Sequence, residues 1–253
     1  MPTCSSSYTK PCLFTGLADR QNPGMSTTLT AISSMATRAV LAELAAAWRQ
    51  RSGVALAIES VGGVDAARRV VAGEGFDLVF LAADAVDKLM AGGHLRAYSR
   101  TDLMVSPVAV AVRQGESAPD ISTEQALRQT VLAAPTIGYS TGPSGVALLA
   151  LFQRWGMDPS IKDRLRQAPA GMPVARLVAQ GEVALGFQQL SELLAAPGIT
   201  VLGPLPEAVQ INTVFSGALG LAANPVPAAQ DCLAYFCSAE AEAAKRRHGM
   251  TPA

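Results

Sequence analysis

A hydroxyl- and glycine-rich turn at residues 136–145 is the stretch of this sequence best suited to binding chemistry. It runs Thr-Ile-Gly-Tyr-Ser-Thr-Gly-Pro-Ser-Gly, and an apolar run typical of a helix follows at residues 146–155. Backbone N–H groups at the start of a helix have no partner within it, and the helix dipole places partial positive charge there. With the neighbouring hydroxyl groups, they form a site suited to an anion. The turn lacks the Gly-Lys-Ser/Thr ending of a nucleotide P-loop, which favours a small oxyanion or carboxylate.

A plainer interpretation of this turn is an ordinary serine-capped helix. The rest of the sequence offers few residues for other kinds of site. His94 and His248 are the two histidines and lie far apart in the sequence, which argues against a Ser-His-Asp triad. The four cysteines, Cys4, Cys12, Cys232 and Cys237, do not have metal-ligand spacing. We therefore expect neither a metal site nor a cofactor.

Composition narrows the class of protein. The 253 residues carry 20 basic and 20 acidic side chains, and this balance gives no sign of a nucleic-acid partner. Hydrophobic residues make up 49% and aromatic residues only 5%, which fits an α/β protein whose helices pack closely on sheets. Apolar runs fall short of the roughly 20 residues that a membrane-spanning helix needs.

Residues 1–24 differ from the rest of the chain. They are polar, contain Pro, Gly and Ser, and have no basic segment followed by an apolar one, so they do not resemble a secretory signal. We expect them to be a disordered extension or the product of a mis-assigned start, with Met25 as the alternative start. The expected location is then the cytoplasm, or the periplasm if the start is mis-assigned and the true one encodes a signal.

The first part of the sequence alternates strands with helices. Strands are predicted at 29–32, 55–60 and 76–81, and helices at 37–50, 65–72 and 85–91. Repeated βα units of this length predict a parallel, doubly wound sheet, in which ligands bind beyond the carboxyl ends of the strands. Three loops would meet there: residues 33–35, residues 62–64 and the loop after Leu81.

The second part adds further elements in a different arrangement. Strands are predicted at 107–112, 131–137, 183–187 and 213–221, and helices at 123–132, 146–155, 174–180 and 228–248. Two long strands that bracket a middle block predict two α/β lobes, each doubly wound, with a ligand cleft between them and a two-strand hinge. The first lobe would comprise residues 25–108 plus 218–253, and the second residues 109–217.

Four segments carry a resemblance to a known family. They are Phe-Asp-Leu-Val-Phe at 76–80, Ala-Pro-Asp-Ile-Ser-Thr at 118–123, the segment 181–192, and Gly-Pro-Leu-Pro at 203–206. From about residue 29 to the C-terminus, the chain resembles the type II periplasmic solute-binding proteins, most closely the molybdate-binding family. The resemblance implies two lobes that close on a ligand. It also implies a membrane permease of the ABC type as partner, if the protein is exported.

The resemblance further implies which residues bind the ligand. Molybdate binders hold their anion with hydroxyl and backbone N–H groups from five positions. These fall here at Met35 with Ser33 and Ser34 upstream, at Gly63 beside Gly62, at Ser144 beside Thr141, at Gly171, and at Gln189. The family has a serine where this chain has Gly63 and a tyrosine where it has Gln189. A glutamine both donates and accepts hydrogen bonds, so these departures favour a carboxylate over molybdate.

Two functions follow as hypotheses. The first is a solute-binding protein that closes on a small oxyanion or organic carboxylate. The second is a cofactor-free isomerase of an unsaturated carboxylic acid, because aconitate isomerase is similar to these binding proteins. An intracellular ligand sensor is a third possibility, and it would need a partner domain.

Isomerisation needs a base that moves a proton. Ser33, Ser34 and Glu192 are weak candidates, followed by Glu59, Asp65 and Tyr139. Glu192 also fits a helix N-terminal or surface residue, and Asp65 fits a helix N-cap. Four arginines near the predicted ligand loops could bind a carboxylate in bidentate fashion: Arg38, Arg68, Arg69 and Arg176.

Overall fold

The computed structural model describes residues 28–253. The strands are β1 Thr28–Ser34, β2 Ala55–Val61, β3 Leu78–Ala82, β4 Thr101–Arg113, β5 Ile137–Tyr139, β6 Leu165–Gln167, β7 Leu185–Gln189, β8 Ile199–Pro204, β9 Asn212–Leu219 and β10 Thr251–Pro252. The helices are α1 Arg38–Ser52, α2 Gly63–Val71, α3 Ala83–Ala91, α4 Glu124–Ala133, α5 Pro143–Arg154, α6 Asp158–Ile161, α7 Val174–Ala179, α8 Leu190–Leu194, α9 Val226–Cys237 and α10 Glu242–Arg247. The prediction for residues 1–24 lies outside the described residues.

One strand joins two sets of parallel strands. In the first set, β1 pairs in parallel with β2 and β3, and β3 pairs antiparallel with β9. In the second set, β5 pairs in parallel with β6 and β7. The long strand β4 pairs with β9 over its first half and with β7 and β8 over its second half. The two α/β lobes predicted from the sequence are therefore confirmed as the fold, although the strands that connect them are antiparallel.

The lobes have separate hydrophobic cores. In the first, the buried face of α1 places Leu41, Leu44 and Trp48 against the sheet, at the spacing expected of a helix with one apolar face. In the second, Phe152 packs edge-on against Phe187 with ring centroids 5.8 Å apart. Because each sheet is covered by its own helices, the space between the lobes is left for a ligand. The exact lobe boundaries stay a prediction.

Four sequence predictions about elements need correction. No strand spans residues 131–137: Val131 is buried on the inner face of α4, and β5 is only three residues long. The predicted terminal helix at 228–248 is two helices, because the chain takes an extended conformation at Ser238. Helix α5 begins at Pro143 rather than at residue 146, and β4 begins at Thr101 rather than at residue 107. The strands β6 and β10, of three and two residues, carry too few residues for a clear alternating pattern.

Within residues 28–253, none of the helices combines the length and the apolar character needed to cross a membrane.

Candidate functional site

A cavity of about 640 Å³ lies between the two lobes, and we call it the interlobe cavity. Its lining comes from the chain just after β1, β2, β3 and β5 and from the last residues of β7. The carboxyl ends of parallel strands meet at one edge of a sheet, which is where open α/β sheets bind ligands. Strand β9 runs in the opposite direction to β3, so it contributes its early residues, Thr213 and Phe215.

The first lobe contributes the start of helix α2. Gly62 is the N-cap and Gly63 the first helical residue, and the carbonyl of Gly62 accepts a hydrogen bond from the Ala66 N–H at 2.9 Å. The N–H groups of the first turn have no partner within the helix. A Cβ atom placed on Gly63 would lie 3.6 Å from the Cβ of Ser34, so this turn is packed beside the Ser34 side chain.

The second lobe contributes the start of helix α5, within the turn at residues 136–145. Gly142 is the N-cap and Pro143 the first helical residue. Ser144 therefore does not cap the helix, and its hydroxyl lies 3.0 Å from that of Ser140. The serine-cap interpretation of this turn is wrong. Gly145 is required by a close approach, because a Cβ atom there would lie 1.9 Å from the carbonyl oxygen of Ser140.

Two buried polar atoms in the lining have no protein partner among the described residues. They are the Ser34 hydroxyl and the side-chain oxygen of Gln189, in residues that are 7% and 3% exposed. The other end of the Gln189 amide is fixed, because its Nε2 donates to the Thr213 hydroxyl at 2.7 Å. Leaving a buried polar atom unpaired costs about 1–3 kcal/mol, so both atoms are poised to accept a ligand as partner.

Glu192 brings an ionisable group to the same cavity. It stands in the first turn of α8, lines the cavity, and accepts a hydrogen bond at 2.8 Å from Nε2 of Gln188. Burial raises the pKa of this carboxyl to about 7, and the bond from Gln188 only partly opposes that rise. Glu192 thus exchanges a proton near neutral pH, and this sets it apart from the paired surface carboxylates of the protein.

Cationic side chains contribute little to the lining. Lys88 is the one basic residue among the described lining residues, and it is largely exposed and lies 3.6 Å from Asp84. The four arginines proposed as carboxylate ligands, Arg38, Arg68, Arg69 and Arg176, do not line the interlobe cavity. Arg69 instead pairs with Glu59 and Glu74, and Arg68 pairs with Asp65. An anion in this cavity would be held by backbone and hydroxyl dipoles.

Most of the ligand-binding residues named from the sequence come together in the interlobe cavity. The lining includes Ser34, Met35, Gly62, Gly63, Thr141, Ser144, Gly171, Gln189 and Glu192. Contact between these residues and a ligand stays a prediction.

Ser33 is the exception among the named residues. It is fully buried outside the lining, and its hydroxyl lies 2.8 Å from that of Ser60, so the structure does not support a ligand contact or a catalytic role for it. Alternation along β1 explains this, because Ser33 and Ser34 point to opposite faces of the sheet. Three of the other proposed bases also lie outside the lining: Glu59, Asp65 and Tyr139. Asp65 is the third residue of α2 rather than its N-cap.

Sequence reasoning missed three residues of the lining, Thr213, Phe215 and Gln188. Thr213 and Phe215 come from the antiparallel strand β9, whose early end reaches the cavity only because of its direction. Gln188 orients Glu192, and its own side-chain oxygen accepts a hydrogen bond from the N–H of Ala175 at 3.1 Å. One signal for Gln188 was available in the sequence. Gln188 and Gln189 stand together at the end of an apolar strand, and buried amides need hydrogen-bond partners, so a polar cluster could have been expected there.

The two lobes touch at the edge of the cavity. Ser191, in α8, donates a hydrogen bond at 2.8 Å to the carbonyl of Ala36, which follows β1. A Cβ atom on Gly62 would lie 3.9 Å from the backbone nitrogen of Gly171, so the first-lobe turn nearly meets the second lobe.

A family model and one relative match most of the chain. The model described as "Bacterial extracellular solute-binding protein" matches residues 29–251. An aconitate isomerase of a Pseudomonas species is 40% identical over 232 residues, which cover 89% of this chain and 88% of that protein.

Solved structures share the fold at low sequence identity. The periplasmic molybdate-binding protein of Azotobacter vinelandii superimposes with a TM-score of 0.73 at 18% identity, covering 88% of this chain and 98% of that one. A sulfate-binding protein of Mycobacterium tuberculosis H37Rv gives a TM-score of 0.73 at 15% identity, covering 89% and 87%. A substrate-binding domain of a molybdenum ABC transporter from Clostridium difficile gives 0.70 at 15%, covering 90% and 100%. These likenesses establish a two-lobed solute-binding fold.

Gly145→Ala tests the geometry of the α5 turn. The added methyl group would collide with the backbone of Ser140, so the turn must shift. Overpacking of this kind costs typically about 1–3 kcal/mol. We expect a lower midpoint in thermal unfolding. Gly115 lies in an exposed turn with a φ of +88°, where any alanine would be strained, so Gly115→Ala is not a suitable control. The control is Gly75→Ala, because Gly75 lies outside the helices and a Cβ atom there would make only an ordinary contact, 3.4 Å from the Cβ of Ala222. Equal midpoints for the two variants would contradict the close approach.

Glu192 also makes the stability of the protein depend on pH. Between its ordinary pKa of 4.5 and the raised value of about 7, the folded protein holds a proton that the unfolded chain has lost. The free energy of unfolding therefore falls as the pH rises through this window, by at most about 3 kcal/mol from this group. Glu192→Gln removes the effect, so we expect the variant to gain stability over the parent progressively from the lower to the upper end of the window. Thermal unfolding at both ends measures this, and a constant difference between the two proteins would contradict the raised pKa.

Proposed function

The chain belongs to the family of bacterial extracellular solute-binding proteins, and from this membership we propose that the interlobe cavity binds a small organic carboxylate. The observation that carries the proposal is the convergence of two helix starts, α2 and α5, on a cavity that also holds the unpartnered Ser34 hydroxyl. Helix N-termini and hydroxyl groups bind anions without a cationic side chain.

The other side of the lining supports an organic ligand. The Gln189 oxygen lacks a hydrogen-bond donor, and Glu192 is largely protonated below about pH 7. These groups suit a ligand with a hydroxyl or a second carboxyl group, whereas a bare tetrahedral oxyanion offers mainly acceptors. Small residues such as Ala36, Ala147 and Ala150 supply apolar surface for a carbon skeleton.

Two further features favour a carboxylate over molybdate. The position at which the resemblance places a serine is Gly63, and the tyrosine position is Gln189, so two of the hydroxyl groups used for a tetrahedral anion are replaced. The cavity volume of about 640 Å³ also falls within the roughly 300–1,000 Å³ of ordinary small-molecule pockets. That volume leaves room for a ligand of several carbon atoms.

The role of the bound ligand depends on where the protein resides. For an exported protein we propose delivery to an ABC permease, as expected from the solute-binding family. For a protein that stays in the cytoplasm, the location we expected from residues 1–24, the same closure on a ligand would serve catalysis or sensing.

Catalysis is the second candidate function, and a specific observation favours it. The relative that is 40% identical over most of its length is named aconitate isomerase. Shifting a double bond next to carboxylates requires a proton to be taken and returned and the intermediate anion to be stabilised. Glu192 and the two helix starts offer these two capacities in one cavity.

Ligand binding is tested by thermal unfolding with a panel of anions. The panel contains citrate, cis- and trans-aconitate, malate, molybdate, tungstate and sulfate. A ligand present at a hundred times its Kd stabilises the folded state by about 2.7 kcal/mol, so the midpoint should rise by several degrees. We expect an organic carboxylate to give the largest rise. If molybdate or tungstate alone raises the midpoint, the carboxylate proposal is wrong.

Ser34→Ala examines the role of the unpartnered hydroxyl. Among residues 28–253 this hydroxyl has no hydrogen-bond partner, so its removal should leave the unfolding midpoint of the protein without ligand unchanged or slightly higher. A hydrogen bond to a charged group is worth about 1.5–3 kcal/mol, so carboxylate binding should weaken roughly 10- to 100-fold. Ser122→Ala, at an exposed position outside the cavity, is the matched control. Equal Kd values by calorimetry for both variants would remove Ser34 from the site.

Isomerase activity is measured directly with purified protein and cis- or trans-aconitate. If catalysis is the function, the two isomers should interconvert without added metal or cofactor. Chromatography that separates the two isomers measures the rate. If the protein binds aconitate but the isomers interconvert no faster than they do without protein, the isomerase proposal is wrong and the protein is a binding protein for carboxylates.

A further inference from the structure

We propose that Glu192 is the catalytic acid–base of the interlobe cavity, and that Gln188 positions it to carry one proton between two carbon atoms of an unsaturated carboxylic acid. This inference rests on the isomerase function proposed above and assigns the residues that perform it. It begins from geometry: the Glu192 carboxyl lines the cavity that contains the starts of α2 and α5.

The Glu192 carboxyl is held in a defined orientation. Gln188, which is 3% exposed, uses its side-chain oxygen to accept the Ala175 N–H at 3.1 Å, and this fixes which end of the amide faces Glu192. Its Nε2 then donates to Oε1 of Glu192 at 2.8 Å. Oε2 of Glu192 has no protein partner among residues 28–253 and is the atom available to a substrate.

The elements packed against α8 place no cationic side chain beside Glu192 that would stabilise its ionised form. Strands β7 and β8 and the turn Met35–Thr37 carry no ionisable side chain. Strand β4 carries Asp102 and Arg113 towards its two ends, and Asp102 is bonded to Arg100 and Ser216. Across the cavity, Asp84 and Lys88 pair with each other. Burial is thus the main influence on the pKa of the Glu192 carboxyl and raises it to about 7. A carboxyl with this pKa can both take and return a proton at neutral pH.

The other lining residues are less suited to this role. Asp84 is largely exposed and paired with Lys88. The Ser34 and Ser144 hydroxyls would need a base to remove their protons, and no histidine lines the interlobe cavity in the part of the chain that the structure describes. Glu192 is therefore the one lining carboxyl in these residues that could act as a base and is not paired with a cationic side chain.

The reaction balances without a co-reactant. Ionised Glu192 removes a proton from the carbon that lies beside both the double bond and a carboxylate. The electron pair of that C–H bond forms the new double bond, and the electrons of the old one move to the far carbon, where its carboxylate shares the negative charge. The N–H groups at the helix starts stabilise this anion. Protonated Glu192 then gives its proton to the far carbon, so one C–H bond breaks and one forms.

Glu192→Gln separates the chemistry from binding. A positioned acid–base group typically contributes about 10²- to 10⁴-fold, so turnover of cis- and trans-aconitate should fall at least about 100-fold. The Kd for either isomer, measured by calorimetry, should stay within about threefold of the parent, because the amide keeps the size and the acceptor oxygen of the carboxyl. Glu207→Gln, at an exposed position, is the matched control and should retain parental turnover.

Gln188 acts through Glu192, so its test is the pH profile. The parent kcat/KM should rise with pH through about 7 as Glu192 loses its proton. The bond from Gln188 lowers that pKa, so Gln188→Met should move the rise to higher pH. Gln188→Glu keeps an acceptor for the Ala175 N–H and adds a like charge, and it should shift the rise in the same direction. A purely structural role would lower turnover without moving the profile.

The outcomes distinguish this inference from the function beneath it. If the parent protein binds no carboxylate, the proposed function fails and the assignment of Glu192 fails with it. If the parent binds aconitate but does not interconvert its isomers, the binding function stands and the assignment is wrong. Turnover by Glu192→Gln at the parental rate would likewise overturn the assignment while leaving the isomerase function in place.

Discussion

The hydrogen bonding of β4 into both lobes is the constraint on which the rest of the structure depends. This strand of 13 residues pairs with β9 in the first lobe and with β7 and β8 in the second. A strand cannot slip by one residue without turning its buried side chains to the other face, so β4 sets the register of its neighbouring strands in both lobes. The strand ends that carry Ser34, Gly62, Ser140 and Gln189 are thereby brought around one space. The site is a consequence of this shared strand.

The same arrangement determines the electrostatics of the site. The lining relies on helix starts and hydroxyl groups rather than on arginines; Arg69, for example, lies outside the cavity and pairs with Glu59. Fixed dipoles need no reorganisation to meet an anion, and they act more strongly where water is excluded. Exclusion of water has a second effect on Glu192, because burial without a cationic partner favours its protonated form. The proposed anion site and a carboxyl that titrates near neutral pH thus have one physical origin, the partly buried cavity that contains no arginine.

Local patterns were sufficient to predict much of this from the sequence. The apolar spacing of α1 and the glycine that ends it, Gly53 at a φ of 73°, are local features, and so is the Gly/Ser turn at residues 136–145. Strand direction and side-chain orientation are not local. The role of Thr213 depends on the antiparallel course of β9, and the exclusion of Ser33 depends on which face of β1 looks toward the cavity. The strand wrongly predicted at residues 131–137 has a local cause instead, because Leu127 and Val131, the buried residues of α4, lie four residues apart, which is helical spacing.

The distinction between a binding protein and an enzyme in this fold comes down to a small part of the lining. Hydrogen bonds from the starts of α2 and α5 would hold the proposed carboxylate whether or not it reacts, and interactions of equal strength in the ground and transition states do not raise kcat. Acceleration requires a group whose interaction changes during the reaction. The segment 188–192 provides one such group, because Gln188 fixes the orientation of Glu192 and burial tunes its proton affinity. A solute-binding scaffold could therefore acquire proton-transfer chemistry through changes at the end of β7 alone, with its anion-binding turns left as they were.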